Sequence, residues 1–206
     1  MSSRHPKISA MKQVQSEYSY LESSRRYCSP ESADYIRREL RDKPLRAVHL
    51  LGSGDYHYVS LFRAESIRQD FYLILLDNHS DDQQEAFCDE LLSCGGWVRR
   101  VRELPHCKGD VWIRTISDEG KLSGIPEGAD VFLSIDLDVL SPEWADTDWD
   151  QGDMSLGELL EELGKILSRF HILGVDICGR SAADCPEDSP LNEAARLRLM
   201  QIFARL

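Results

Sequence analysis

The chain has 206 residues, a formal net charge of −12, 42 % hydrophobic and 29 % charged residues, an ordinary composition for a globular protein that buries a core. The acidic balance argues against a nucleic-acid-binding surface, which needs clustered lysine and arginine. The sequence contains no run of about 18 apolar residues, the length that a membrane-spanning helix needs. The polar amino terminus does not resemble a signal peptide. The six cysteines include no CxxC pair, so we expect reduced thiols and a cytoplasmic protein.

Short apolar runs and helical apolar stripes alternate along the chain after a weakly patterned stretch, 1–28, which we expect to be partly loosely ordered. The predicted strands are 46–52, 71–77, 97–104, 111–116, 130–138 and 171–178. The predicted helices cover 29–41, about 58–69 and 82–93, and two more begin at Ser155 and Ser189. This alternation predicts one three-layer α/β/α domain over 1–206, with a mainly parallel sheet covered by helices on both faces.

Side chains that bind metals follow three of the predicted strands. They are His57, Asp77, His79, Asp81, Asp136 and Asp138. Parallel sheets of this class bind ligands beyond the carboxyl ends of their strands, and residues two apart in an extended chain face the same side. Neighbouring carboxylates raise each other's pKa, and burial raises it further, so a bound cation would remove both penalties.

Six ligands, four of them anionic, suit two cations that share bridging carboxylates. Oxygen mixed with imidazole suits Mn²⁺, Fe²⁺ or Zn²⁺, and the oxygen majority favours Mn²⁺. Two such ions about 3.5–4 Å apart can hold a bridging hydroxide and use it as a nucleophile. The pattern therefore predicts metal-assisted hydrolysis.

Several segments between about 46 and 180 resemble motifs of the arginase/agmatinase (ureohydrolase) family. Asp77-Asn-His-Ser-Asp81 is similar to the family's Asp-x-His-x-Asp motif. Ser134-Ile-Asp-Leu-Asp-Val-Leu-Ser-Pro142 is similar to its Ser-x-Asp-x-Asp-x-x-Asp-Pro signature, with Ser141 replacing the last aspartate. The loop 52–57 resembles its Gly-Gly-Asp-His loop, and 174–178 resembles its late Leu-Asp-Ile strand.

This resemblance implies the ureohydrolase α/β/α fold and a site for two manganese ions. One ion would be held by His57, Asp77, Asp81 and Asp136, and the other by Asp77, His79, Asp136 and Asp138. Asp81 would also orient the bridging hydroxide. The implied activity is hydrolysis of a C–N bond in a small guanidine, amidine or amide. Members of the family often assemble into homo-oligomers, although this sequence identifies no interface.

The chain also departs from the family. It is shorter than the members that cleave guanidino compounds, and the acid that grips the guanidinium falls near Gly179 or Arg180, where an arginine would repel a cationic substrate. His106 is the candidate for the family's proton-shuttling histidine. The loop 139–153 follows the metal-binding strand, and its candidates for substrate contact are Trp149, Asp150 and Gln151.

Other interpretations remain open from the sequence. A ureohydrolase-like binding or regulatory protein without hydrolytic activity would account for the short chain and for Arg180. A mononuclear zinc hydrolase resembling the deacetylases would use fewer of the ligands. Leu51-Gly-Ser-Gly-Asp55 also resembles a nucleotide-binding glycine loop. That reading leaves His79 and the pair Asp136 and Asp138 unexplained.

Overall fold

The computed structural model describes residues 10–84, 91–181 and 187–205. The β-strands are β1 (Lys12–Gln15), β2 (Tyr27–Cys28), β3 (Ala47–Gly52), β4 (Phe71–Leu76), β5 (Leu92–Ser93), β6 (Cys107–Ile113), β7 (Asp130–Asp136) and β8 (His171–Cys178). The α-helices are α1 (Pro30–Leu40), α2 (Val59–Ala64), α3 (Trp97–Arg102), α4 (Leu156–Arg169) and α5 (Pro190–Phe203). Short 3-10 helices lie at Gly54–Tyr56, Ile116–Gly124 and Leu137–Val139.

Six strands form one parallel sheet in the order β1-β3-β8-β7-β4-β6, and β2 pairs with β5 in a separate antiparallel ribbon. Side chains of α1, α2 and α3 form a core on one face of the sheet. Side chains of α4 and α5 form a second core on the other face. The predicted three-layer α/β/α architecture is confirmed.

The central strands β4 and β7 are apolar along almost their whole length because helices cover both of their faces. α4 begins at a capping box in which Ser155 and Glu158 exchange hydrogen bonds. Its buried stripe includes Leu159, Leu163 and Ile166, and each such side chain stabilises the fold by about 1.5–3 kcal/mol. The predicted starts of α1, α4 and α5 are confirmed.

Two predicted elements differ in type from the structure, and two others differ in their bounds: the strand predicted over 111–116 is Cys107–Ile113, and the helix predicted over 58–69 is Val59–Ala64. The predicted strand 97–104 is wrong, because this segment forms α3 and buries Trp97, Val98 and Val101 while its arginines face outward. Part of the predicted helix 82–93 lies outside the described residues, at 85–90. The described residues on either side are not helical, and Leu92–Ser93 forms β5.

Residues 10–28 contribute more structure than the sequence indicated, whereas residues 1–9 of the predicted loose stretch lie outside the described residues. β1 is a parallel edge strand on β3, and its side chains are mostly exposed, which explains the absence of an apolar pattern there. β2 holds residues 24–28 beside β5, at the carboxyl edge of the sheet.

No helix in the described ranges has the length and apolar character needed to cross a membrane.

Candidate metal centre

His57 reaches the carboxyl edge of the sheet through the turn that follows β3. Ser53 caps the 3-10 helix Gly54–Tyr56, and His57 ends it. The imidazole is buried, and its Nε2 lies 2.7 Å from Ser134 Oγ of β7. This hydrogen bond fixes the ring so that Nδ1 faces the carboxylates.

The segment after β4 places three ligands in a compact turn. The backbone N–H of His79 donates to Asp77 Oδ1 at 2.6 Å, and Asp81 has a positive φ of 46°. The chain therefore folds back at this point and does not stay extended, the condition under which the sequence pattern placed the three side chains on one side. Trp97 Nε1 donates to Asp81 Oδ2 at 2.6 Å and holds that carboxylate next to His57.

Asp136 ends β7, and Asp138 lies in the 3-10 turn that follows it. The backbone N–H of Asp138 donates to Asp136 Oδ1 at 3.0 Å, and Asp138 Oδ1 accepts from the backbone N–H of Asn78 at 3.0 Å. The two carboxylates are thus brought together by a turn rather than by the alternation of a strand. The second hydrogen bond joins the ends of β4 and β7.

All six sequence-predicted ligands meet at one place. His57 Nδ1 lies 2.9 Å from Asp81 Oδ2, 3.2 Å from Asp77 Oδ2 and 3.6 Å from Asp136 Oδ2. His79 Nδ1 lies 2.8 Å from Asp138 Oδ2 and 3.6 Å from Asp77 Oδ1. Three groups have ligand atoms within 4.8 Å of one another: His57, Asp77 and Asp81; Asp77, His79 and Asp138; and His57, Asp136 and Cys178.

The electrostatics of this cluster show an excess of buried acid. Burial, together with the charge of its neighbour Asp138, raises the pKa of Asp136 to about 6. Burial and the charge of Asp77 raise the pKa of Asp138 to about 7. Hydrogen bonds with Asp138 and Asp77 raise the pKa of His79 to about 10. Burial alone would lower the pKa of His57, but the adjacent carboxylates raise it well above its ordinary value.

One buried carboxylate oxygen of the cluster lacks a hydrogen bond of regular geometry, although His57 Nδ1 lies 3.2 Å from it. Asp77 Oδ2 is buried and accepts no hydrogen bond of regular geometry from the described residues. A buried carboxylate oxygen of this kind is costly unless a cation meets it. The candidate metal ligands are four carboxylates and two imidazoles. Mn²⁺, Fe²⁺ and Zn²⁺ all bind ligands of these types. The residues present therefore fit the divalent cations that the sequence predicts.

A cavity of about 270 Å³ opens over the cluster. Arg26 and Tyr27 form part of its outer wall, with Cys94 and Gly95 beside them. Trp149 forms another part, and its ring lies 5.8 Å from the His79 ring. The position therefore combines polar ligand groups with a wall that can enclose a small molecule.

Three sequence-predicted site residues lie elsewhere. His106 is at the amino ends of β4 and β6, near Asp70, on the opposite edge of the sheet, so its assignment to catalysis is wrong. Asp150 and Gln151 do not line the cavity. Gln151 instead donates to the carbonyl groups of Leu140 and Ala145 and braces the loop.

Arg180 is also positioned differently from what the sequence suggested. Its guanidinium pairs with Glu17 at 2.6 Å, and it does not line the cavity. The expected repulsion of a cationic substrate by Arg180 is therefore absent from this site.

Sequence reasoning missed the residues that orient the ligands and close the cavity. Ser134 lies two residues before Asp136 in β7, so both side chains are expected on the same face of the sheet. This spacing is the signal that could have identified Ser134. Trp97 and Arg26 lie far from the motifs in sequence. Only the pairing of β2 with β5 brings these segments together, and neither strand has a pattern that predicts it.

Comparison with known proteins places this geometry in context. No protein-family model matches the chain. An uncharacterized protein of Thermotoga maritima is 35 % identical over 144 residues, which cover 64 % of this chain and 57 % of that protein. The chain thus spans less than two thirds of that relative's length.

The solved structures that resemble it include three hydrolases. Proclavaminate amidino hydrolase from Streptomyces clavuligerus gives a TM-score of 0.65 at 16 % identity, with 85 % of this chain and 69 % of that chain covered. Arginase from Medicago truncatula gives 0.62 at 18 %, with 85 % and 65 % covered. Formimidoylglutamase from Bacillus subtilis gives 0.61 at 17 %, with 85 % and 66 % covered. The predicted resemblance is confirmed for the fold: the chain has the α/β/α fold of the arginase/agmatinase (ureohydrolase) proteins.

Proposed function

We propose that this protein is a metal-dependent hydrolase that cleaves a C–N bond in a small guanidine, amidine or amide. The observation that carries the proposal is the position of Asp77. Its Oδ2 faces His57, its Oδ1 faces His79, and it belongs to two of the ligand groups. A carboxylate shared in this way suits two cations held side by side.

The residues that would hold the cations are those of the cluster. His57, Asp77, Asp81 and Asp136 would bind one ion, and Asp77, His79, Asp136 and Asp138 would bind the other. Mn²⁺ is the favoured metal because oxygen ligands are in the majority. The three similar structures are named as an amidino hydrolase, an arginase and a formimidoylglutamase, which supports C–N hydrolysis as the reaction class.

Bound divalent cations would lower the pKa of a water molecule towards neutrality and polarise the carbon that it attacks. The chain itself supplies the orientation. Ser134 fixes the ring of His57, and Trp97 fixes Asp81. Asp81 is the carboxylate that we assign to orient the attacking water and to accept its proton. Trp149 and the opposite wall would limit the access of bulk water.

A second candidate is a mononuclear zinc hydrolase, favoured by the group His57, Asp136 and Cys178. Cys178 Sγ donates to Asp136 Oδ2 at 2.8 Å and is fully buried next to the cluster. A thiolate, an imidazole and a carboxylate are common ligands of one zinc ion. Catalysis that peaks at one zinc per chain would favour this second candidate.

The test is hydrolysis by the full chain after reconstitution with Mn²⁺. Release of urea or ammonia would be measured with a panel of guanidino, amidino and amide compounds. We expect turnover of at least one class, and none after His79→Ala or Asp136→Ala.

Asp70→Asn is the matched control, because Asp70 is an exposed acid at the opposite edge of the sheet. It should leave turnover unchanged. Failure of every class by a protein that has bound its metal would contradict the proposal. Equal turnover by His79→Ala would contradict it as well.

A further inference from the structure

Arg26 is the one charged side chain among the described cavity-lining residues that does not belong to the ligand cluster. Four carboxylates and two divalent cations carry formal charges that cancel. The remaining charge of the described lining is then that of Arg26. A molecule that binds in this cavity would meet a guanidinium group at its outer end.

The backbone and side chain of Arg26 are held firmly in this wall. Its φ is 61°, its N–H donates to the Asp55 carbonyl at 3.1 Å, and its carbonyl accepts from the Cys94 N–H at 2.8 Å. Nε donates to the buried Asp55 carboxylate at 3.0 Å. Such fixed geometry reduces the conformational entropy that binding would otherwise remove.

The hydrogen-bonding end of Arg26 remains available. Within residues 10–84, 91–181 and 187–205, its Nη1 and Nη2 make no hydrogen bond, and 54 % of its side chain is exposed. Arg26 Cζ lies 5.3 Å from the centre of the Trp149 ring. Trp149 is also close to His79, so the indole lies between the guanidinium and the ligand cluster. Two parallel N–H groups of one guanidinium match the two oxygens of a carboxylate.

Trp149 adds a second unmatched donor to this wall. Its Nε1 is buried and has no hydrogen-bond partner among the described residues. An indole N–H and a guanidinium can donate but cannot accept. Gly54 allows this ring to approach, because a Cβ there would lie 3.0 Å from Trp149 Cδ1 and 3.1 Å from Asp136 Oδ2. Arg26 and Trp149 therefore both present hydrogen-bond donors, and the one charged side chain outside the ligand cluster in the described lining is a cation.

Outside the ligand cluster, no acid among the described residues lines the cavity. Gly179 stands where the sequence comparison expected an acid, and it has a positive φ of 93°. A Cβ at Gly179 would lie 2.4 Å from Asp136 Oδ1, so a longer side chain does not fit. Asp55, a buried acid beside the wall, is engaged by Arg25 and Arg26.

We propose that the substrate carries a carboxylate at the end remote from the C–N bond that is cleaved, and that Arg26 binds this carboxylate beside Trp149. The inference rests on the proposed function for the other end of the substrate. It excludes substrates whose remote end is an ammonium or a second guanidinium group. Arg26 is thus a specificity-determining residue that lies outside the sequence motifs.

The test is binding, measured by calorimetry on the Mn²⁺-reconstituted full chain. The probes are ω-guanidino acids with two to five methylene groups, each paired with its own carboxamide. The acid of at least one pair should bind about 10- to 100-fold more tightly than its amide. Arg26→Gln should remove most of that preference, mainly by weakening the binding of the acid, and Arg26→Lys should retain part of it.

Arg68→Gln is the matched control, because it makes the same change of charge at an exposed arginine outside the cavity. It should leave the preference intact. The inference is overturned if no pair shows a preference for the acid, or if Arg26→Gln retains it. An acid preference without turnover would refute the proposed function alone, and turnover without the preference would refute this inference alone.

Discussion

Asp176 and the Asp77 cluster are both buried acidic groups of the same sheet, but their negative charge is balanced in different ways. Asp176 lies within β8, and its charge is met by the Arg63 guanidinium of α2, although neither carboxylate oxygen accepts a regular hydrogen bond from the described residues. The Asp77 cluster at the strand ends gathers four carboxylates and two imidazoles, with no described arginine or lysine among them.

The difference separates a structural ion pair from a candidate binding site. Burial lowers the pKa of Arg63 to about 9, and its guanidinium lies directly against the Asp176 carboxylate inside the fold. The Asp77 cluster leaves its negative charge to be balanced from outside the chain. Excess buried acid with an oxygen-rich ligand set is therefore the signature of a cation site, whereas buried acid alone is not.

The largest expected effect on folding comes from breaking the structural pair. Arg63→Met leaves Asp176 as an uncompensated buried charge and removes hydrogen bonds to the Val175 and Leu45 carbonyls. We expect the free energy of unfolding, measured with urea, to fall by about 3–5 kcal/mol.

The double variant Arg63→Met/Asp176→Leu separates the charge from the packing. It should recover most of the loss, because no buried charge remains. If Arg63→Met costs less than about 1 kcal/mol, the pair is not the structural element described here.

An intermediate effect is expected at the binding site from Ser134→Ala. The substitution removes the hydrogen bond to His57 Nε2, so the imidazole loses its orientation. We expect Mn²⁺ affinity, measured by competition with a chelating dye, to fall about 10- to 100-fold.

Ser60→Ala is the control for this change, since it removes the contact of Ser60 Oγ with Ser134 Oγ at 3.4 Å but keeps the backbone N–H that donates to the His57 carbonyl at 3.0 Å. Its affinity should stay within about twofold of the wild type. An unchanged affinity in Ser134→Ala would show that the serine does not position the ligand.

The smallest effect concerns His49, which is buried in β3 between Ser16 Oγ and the Pro44 carbonyl. Burial and the charge of Arg63, with Lys43 nearby, lower the pKa of His49 to about 3. The unfolded chain takes up this proton below about pH 6.5 and the native protein does not, so stability is full above that pH and falls as the pH decreases.

The expected slope is at most about 1.4 kcal/mol per pH unit. The measured quantity is the free energy of unfolding by urea of the wild type minus that of His49→Gln, followed from pH 7.5 to pH 5. His171→Gln, at an exposed histidine, should show no such difference. A flat difference for His49→Gln would contradict the lowered pKa.

Much of the fold and the convergence of the six candidate ligands at one edge were predictable from the sequence, because buried parallel strands are continuous apolar runs that end in polar residues at the carboxyl edge of the sheet. The alternation of strands and helices was enough to predict the three layers. α3 was predicted as a strand because only the packing of Trp97 against Asp81 reveals which face is buried.

The wall of the cavity was not predictable in the same way. Arg26 and Tyr27 reach the site through the short pairing of β2 with β5, which joins segments far apart in sequence. His106 was predicted at the site but lies at the opposite edge of the sheet. The sequence around a histidine that follows α3 does not indicate which edge of the sheet it occupies. The composition of the cavity wall thus depends on the pairing of two-residue strands that are distant in sequence, which the motifs do not predict.

The central claim is that the Asp77 cluster binds two cations. The most direct measurement is elemental analysis of the purified full chain, grown with manganese, for the wild type, Asp77→Asn and Asp70→Asn. The account predicts two manganese ions per chain in the wild type and in Asp70→Asn, and loss of both ions in Asp77→Asn. No bound metal after reconstitution, or two ions retained in Asp77→Asn, would contradict it.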